Sequence, residues 1–245
     1  MSRFARDSEW ECKKCGGDGF VLNDAGEAIA CECRERRIRL ARMEGVTSVI
    51  PRKYRGVSFD RAPVPDLRET NPSAVQEVEL FTRRIDEQLD NGLGLWLIGD
   101  VGTGKTTLAM LISKAALDAG RSVAIYSVPR LLAEIRDTYD ADPGERSYMD
   151  FFQRLVAVDL LHLEDLGAEK QTDWGLEQLY SLVNQRYEDK RSILVTSNVN
   201  SPDDLEGQVG KRTVSRLAEI CGPDPLKLFG PDMRFTDSPA RSTLA

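Results

Sequence analysis

Eight consecutive residues, Gly99-Asp100-Val101-Gly102-Thr103-Gly104-Lys105-Thr106, carry the strongest chemistry in this sequence. They fit G-x-x-x-x-G-K-[ST], a pattern whose glycines let successive backbone N–H groups curl around phosphate oxygens. The apolar run Leu95-Trp96-Leu97-Ile98 precedes the loop and a helix-like stretch, Thr107 to Ala119, follows it. The loop would therefore join a strand end to a helix N-terminus, whose partial positive charge favours an anion. There Lys105 would reach the β and γ phosphates of a nucleoside triphosphate such as ATP, and the Thr106 hydroxyl would ligate Mg²⁺. Gly99 through Thr107 would line the site. A glycine-rich turn without a ligand is the bland alternative.

A second group lies downstream. Val158 to Leu163 reads as a buried strand that ends in two acids, Glu164 and Asp165. Phosphoryl chemistry on ATP needs one carboxylate at a strand end for Mg²⁺ and another to polarise the attacking water. Open α/β sheets place their ligands at this carboxyl edge. A polar turn capped by acids is the alternative. His162, the single histidine, reads as a packed strand residue.

A third group is made of cysteines. Cys12-x-x-Cys15 and Cys31-x-Cys33 supply four sulfurs within a short segment, a spacing suited to one tetrahedral Zn²⁺. Gly16, Gly17 and Gly19 allow the tight turn that brings backbone amides towards sulfur. A redox dithiol or unrelated thiols are the alternatives. The fifth cysteine, Cys221, reads as a buried helix-end residue.

These groups need elements to hold them. A helix over Ser73 to Gln88 leads into the loop strand, and strands at Ser122 to Ser127, Val158 to Leu163, Ser192 to Thr196 and Leu226 to Phe229 alternate with helices. Those helices are expected from Pro129 to about Tyr139, at Glu145 to Leu155, Asp173 to Lys190, from Ser201 with Pro202 first, and at Lys211 to Ile220. Such alternation specifies an α/β fold, a parallel five-stranded sheet covered on both faces. The expected domains are 1–44, a four-cysteine zinc-binding module plus a basic helix at Arg34 to Met43; 45–72, an extended linker with Pro51, Pro63, Pro65 and Pro72; and 73–245, the nucleotide-binding domain with a reduced or absent lid.

The 245 residues suit one such core plus a small module, and 41% hydrophobic with 30% charged residues is ordinary for a soluble protein. No apolar run has the length of a membrane span and the first residues lack a signal-peptide core, so a cytoplasmic protein without a membrane partner is expected. The formal charge of −7 conceals eight basic against two acidic residues between Arg34 and Arg55. That local patch suits a phosphate backbone or an acidic protein surface, or is a solvated helix face.

With these residues assembled, the chain resembles the DnaC/DnaI-type AAA+ ATPases, the bacterial loaders of the replicative helicase within the DnaC/IstB-like family. GDVGTGKT is similar to their Walker A, and LLHLEDLGAE to their Walker B with the element that follows. ILVTSN, ending at Asn198, resembles the sensor 1 strand, and GKRTVSRLAEI the segment in which Arg216, with Arg212 as companion, would be an arginine finger facing a neighbouring subunit. Arg234 falls where these loaders carry the sensor 2 arginine. Each also has a bland reading, a strand cap for Asn198 and solvated helix charges for the arginines. The resemblance implies an ATPase using ATP and Mg²⁺ as a switch, with a DnaB-type helicase hexamer and single-stranded DNA as partners and self-association through the ATPase domain.

One departure matters. Most relatives place Asp first in Walker B and Asp or Glu second, whereas this chain has Glu164 in the metal position and Asp165 in the water-activating one. The reach of each acid changes by roughly one C–C bond, in chemistry sensitive to about 1 Å, so slow hydrolysis with preserved binding is expected. The zinc module and basic helix would dock on the helicase by resemblance, or on DNA. Arg130, Arg136 and Arg146 interleaved with Tyr139, Tyr148 and Phe151 could meet single-stranded DNA, or pack inward as an amphipathic helical hairpin. Tyr54 and Phe59 are candidates for contact with adenine. Two other functions stay open: an IstB-type transposition ATPase acting with a transposase on target DNA, and a stand-alone nucleotide kinase or NTPase.

Overall fold

Four short apolar runs and the edge segment Leu226–Leu228 become one parallel sheet, since strands buried on both faces need apolar side chains on both. The computed structural model describes residues 12, 14–16, 20–23, 26–31, 33, 50–139, 147–168 and 171–235. The basic helix expected at Arg34 to Met43, the start of the linker at 45–49, and the turn at 140–144 with Glu145 and Arg146 lie outside them. The chain divides into two units, Met1–Glu44 and Gly45–Ala245.

In the first unit, strands β1 (Phe20–Leu22) and β2 (Ala28–Ala30) pair antiparallel, with Phe20 opposite Ala30. The hairpin turn is closed by the Asn23 side chain, which accepts from the Glu27 N–H. Phe20, Leu22 and Ile29 are exposed while Cys31 is buried. The described residues of so small a unit form no apolar core to hold it.

The second unit contains β3 (Leu95–Gly99), β4 (Val123–Ser127), β5 (Leu160–Glu164), β6 (Ser192–Ser197) and β7 (Leu226–Leu228). They lie in the order β4-β5-β6-β3-β7, and every neighbouring pair is parallel. The phosphate-loop strand β3 thus sits inside the sheet, beside β6. In register, Ser127 lies opposite Glu164 and Ile98 opposite Ser197, so the carboxyl ends of these strands share one edge.

Nine helices among the described residues cover the sheet: α1 (Val64–Thr70), α2 (Pro72–Arg83), α3 (Ile85–Asp90), α4 (Lys105–Asp118), α5 (Val128–Asp137), α6 (Tyr148–Ala157), α7 (Asp173–Glu188), α8 (Pro202–Val209) and α9 (Lys211–Cys221). Side-chain oxygens of Ser147, Thr172 and Ser201 cap α6, α7 and α8 by accepting N–H groups of the first turn. Val75, Val78 and Phe81 of α2 and Leu108 and Ile112 of α4 pack into one core with Leu97 and Leu160.

Two expectations are corrected here. The segment 45–72 is not an extended linker throughout: Arg52–Tyr54 forms a 3-10 turn and Val64–Thr70 is α1, with Val64 and Leu67 fully buried. Its prolines open helices, since Pro65 lies in the first turn of α1 and Pro72 is the first residue of α2, where a missing N–H costs nothing. The single helix expected over Ser73 to Gln88 is two, interrupted at Arg84, whose backbone departs from helical geometry (φ −113°, ψ 28°).

Candidate nucleotide site

The loop joins the end of β3 directly to the N-terminus of α4. Gly104, at φ 96°, adopts a left-handed conformation that a Cβ would strain, and no side chain caps the N-terminus of α4. A Cβ there would also collide with Leu67 of α1. The first-turn N–H groups of α4 are thus left for an anion. The Lys105 ammonium, almost fully buried, donates to the carbonyls of Gly99 and Asp100 at 2.7 Å each. Burial lowers its pKa from the ordinary lysine value and the Arg234 charge adds to this, while Asp165, Asp100 and Glu164 oppose it. Phosphates arriving at the loop would exchange carbonyl partners for charged ones. Replacing Lys105 by alanine is expected to weaken ATP binding about 10- to 100-fold, the size of a lost charge-assisted bond or two, as measured by titration with a fluorescent ATP analogue.

The acids meet the loop from β5. Glu164 Oε2 accepts from the Thr106 hydroxyl at 2.7 Å and from the Thr196 hydroxyl at 3.2 Å, while Glu164 Oε1 lies 2.6 Å from His162 Nε2. Burial would raise the Glu164 pKa, but these partners outweigh it and hold the carboxyl below its ordinary value. Asp165 follows at φ 55° and accepts from the Asn198 amide at 3.2 Å. Its own N–H donates to Thr196, and the next N–H, of Leu166, donates to the Thr196 carbonyl, so β6 fixes the turn. Thr106, Glu164 and Asp165 present only oxygen, the donor set of a hard cation that keeps water and takes one or two carboxylates besides phosphate. They fit Mg²⁺, which when bound supplies positive charge to the β and γ phosphates.

The chain after β7 closes the other side. Asn71, between α1 and α2, donates to the Phe229 carbonyl at 2.9 Å and accepts from the Phe229 N–H at 2.7 Å. Beyond this clamp, Met233 N–H donates to the Gly102 carbonyl at 3.1 Å, and Asp232 lies so near Gly102 that a Cβ there would collide with it. Arg234 follows, exposed, with Nε 3.7 Å from Asp232. Asn71→Ala is expected to cost about 2 kcal/mol, since it leaves the Phe229 amide groups without partners; a shift in urea midpoint checks this.

The expected residues Lys105, Thr106, Glu164, Asp165, Asn198 and Arg234 are therefore gathered around one loop. Arg216 has other company. On α9 it donates to Asn184 Oδ1 (3.0 Å) and Glu219 Oε1 (2.7 Å) and stacks over the Tyr187 ring at 4.3 Å. Arg212 is exposed. Phe151 is core, edge-on to Tyr126, so the inward-packing alternative holds for it. Tyr139 stacks on Tyr148 at 4.9 Å, Arg130 lies over Tyr126, and Arg136 over Trp174. Phe59 packs partly buried against the core, and Lys53 lies over Tyr54.

Sequence reasoning misses the roles of three residues. Asn71 carries no local signal for a partner so distant in the chain. His162 had one: at i and i+2 on a strand, it shares a face with Glu164. The fully buried Arg186 had one too, since Leu179, Leu182, Val183 and Arg186 form one helical stripe.

In the first unit the four cysteine sulfurs lie within 4.8 Å of one another, Cys12 to Cys31 at 3.7 Å and Cys15 to Cys33 at 3.3 Å. Sulfurs at the corners of a zinc tetrahedron stand roughly 3.8 Å apart, so the cluster is compatible with Zn²⁺. Backbone N–H groups of Lys14 and Cys15 lower the Cys12 pKa, while the neighbouring Cys15 thiol and burial push Cys33 up to about 12. Cys221 ends α9, buried, with its thiol near the Ile193 carbonyl.

Known proteins share this architecture. YdaV of Escherichia coli K12 is 27% identical over 190 residues, 76% of this chain and 73% of that protein. The replicative helicase loader DnaC of Buchnera aphidicola is 22% identical over 203 residues, 82% and 79% of the two chains. A crystal structure of the DnaC helicase loader superposes with a TM-score of 0.61 at 21% identity, covering 73% of this chain and all of that one, a likeness in the AAA+ fold. No helix among the described residues is long and apolar enough to cross a membrane. The profile of the IstB-like ATP binding proteins matches residues 80–203, just over half of the sequence and inclusive of the loop, both acids and Asn198. The chain accordingly belongs to the IstB-like ATP-binding protein family, with an AAA+ P-loop core.

Proposed function

We propose that this protein is an ATP-controlled helicase loader: it binds a replicative DnaB-type helicase hexamer and helps place it on single-stranded DNA, with ATP as the switch. The observation that carries the reading is the placement of Arg216. Its side chain is oriented by Asn184, Tyr187 and Glu219 on α7 and α9, while the acids and the polar strand tip surround the loop. A cation held by α7 and α9, and not bonded to the loop residues of its own chain among the described residues, suits transition-state stabilisation in the loop of a neighbour, so the active form is a self-assembled one. Similarity to proteins named replicative helicase loaders supports the same reading.

In this mechanism Lys105 and the N-terminal amides of α4 bind the phosphates. Thr106 and Glu164 would hold Mg²⁺, Asp165 would take a proton from the water that displaces ADP at the γ-phosphorus, and Asn198 orients Asp165 through their 3.2 Å bond. Arg234, next to Met233 whose N–H donates to the Gly102 carbonyl, would couple the phosphates to the chain after β7. The isolated protein is expected to turn over more slowly than about 10 s⁻¹, the median for enzymes, in a phosphate-release assay. Native mass measurement of the protein mixed with candidate helicase hexamers, with and without ATP, tests the reading. A nucleotide-dependent hexamer-plus-loader mass is expected, and absence of any complex overturns it.

The four cysteines support a zinc-dependent N-terminal module, residues 1–44, serving the docking function. One zinc per chain is expected by metal analysis, and chelation is expected to remove hairpin order and helicase binding while leaving ATP binding by residues 45–245. A second reading is favoured by the family match itself: an IstB-type ATPase that acts with a transposase on target DNA. Pull-down against a transposase and a replicative helicase in parallel separates the two.

A further inference from the structure

The loop helix and the acid strand are joined by a buried polar chain that the nucleotide chemistry alone does not call for. Thr106 and Ser113 lie two turns apart on the same face of α4, and His162 and Glu164 lie two residues apart on the same face of β5. The four side chains meet in sequence. Ser113 Oγ lies 2.8 Å from His162 Nδ1, His162 Nε2 lies 2.6 Å from Glu164 Oε1, and Glu164 Oε2 accepts from Thr106 at 2.7 Å. Ser113 and His162 are fully buried, and the Glu164 side chain is only 12% exposed.

We propose that His162 is a positioning residue for the metal-binding carboxylate, and that it compensates for the glutamate at this place. A glutamate has one more rotatable bond than an aspartate, so its carboxylate can swing over a wider arc. In the tautomer where the Ser113 hydroxyl donates to Nδ1, the ring proton is on Nε2, which touches Oε1 at 2.6 Å in a close polar contact that is off the line of a well-formed hydrogen bond. One carboxylate oxygen is thereby committed to the scaffold and the other is left facing Thr106. Groups that orient a metal ligand in this manner typically change metal affinity 10- to 100-fold. The inference rests on the reading that ATP binds here with Mg²⁺ through Thr106 and Glu164.

The test measures binding, not turnover. A fluorescent, non-hydrolysable ATP analogue is titrated in EDTA and then at increasing Mg²⁺, giving a metal-free affinity and a Mg²⁺ half-saturation. His162→Leu is expected to raise the half-saturation about tenfold while leaving the metal-free affinity within twofold. His162→Gln, whose amide N–H reaches towards Oε1, is expected to restore most of it, and Ser113→Ala to shift it in the same direction as His162→Leu by less. In a Glu164→Gln background, His162→Leu is expected to add no further shift, because the pair acts as one unit. An unchanged Mg²⁺ dependence in folded His162→Leu overturns the proposal, as does an equal shift with and without Glu164. Should His162→Leu fail to fold, Ser113→Ala carries the same comparison, and an unchanged Mg²⁺ half-saturation in it overturns the proposal. A wild-type protein that binds the analogue without any Mg²⁺ dependence would overturn the metal reading beneath it, a result distinct from all of these.

Discussion

Arg216→Ala is expected to lower ATP turnover in the assembled protein by about a thousandfold while leaving the ATP affinity of the single chain within twofold. The magnitude follows from what a cation contributes when it meets charge that spreads over the transferred phosphoryl oxygens only in the transition state. The separation of the two effects follows from placement: the arginine is held by Asn184, Tyr187 and Glu219, whereas ground-state phosphate binding belongs to Lys105 and the amides of α4. Mixing gives the decisive measurement. A Lys105→Ala chain has a disabled loop and an intact finger, and an Arg216→Ala chain has the reverse. Co-assembled, they would create some junctions with both parts intact, so the mixture is expected to recover turnover that neither variant has alone. No recovery, or full turnover by Arg216→Ala itself, would rule out a finger acting between subunits. Arg216→Lys serves as control for packing, since it retains the charge over Tyr187 but lacks the planar fork.

Why the loop and the acids could be read from the sequence, and Asn71 could not, comes down to range. The phosphate loop is local: Gly102 and Gly104 adopt positive φ within a few residues of the lysine they position, and the flanking apolar runs announce the strand and helix. The acids at the end of β5 are local in the same sense. Asn71 and Phe229 find each other only after β7 has added to the sheet edge, so no window of sequence holds both partners. The prolines misled for a different reason. Proline is a breaker within a helix but a good opening residue, and at Pro65 and Pro72 the opening role prevails, turning an expected linker into α1 and the start of α2. His162 reads from the sequence as a buried strand residue, while its closeness to Glu164 depends on the two-residue strand period that puts both side chains on one face of β5.

Arg186→Met is expected to destabilise residues 45–245 by about 3–5 kcal/mol, enough to lower the thermal midpoint by roughly 10 °C in a domain of this size. The guanidinium is fully buried and donates to five carbonyls, those of Leu155, Val156, Val158, Asp159 and Ser192, at distances from 2.5 to 3.4 Å. Burial lowers its pKa to about 9, and the Arg191 charge contributes, against the pull of Asp159 and Asp189. A buried ion pair can often be exchanged for apolar residues at little cost, because both charges leave together. Here the acceptors are backbone groups that no substitution removes, so methionine fills the volume and leaves the carbonyls without donors. Those carbonyls lie at the end of α6, in the two residues before β5 and at the start of β6, so one side chain ties helix to sheet at the edge opposite the phosphate loop. That opposition gives the prediction its second half. At about 3.3 Å per residue, the length of β5 puts the Arg186 cluster roughly 16 Å from Glu164, so the folded fraction of Arg186→Met is expected to bind ATP with wild-type affinity. A thermal midpoint within about 2 °C of wild type would show that the five bonds add nothing net. A loss of ATP affinity in the folded fraction would mean that the two edges of the sheet are coupled.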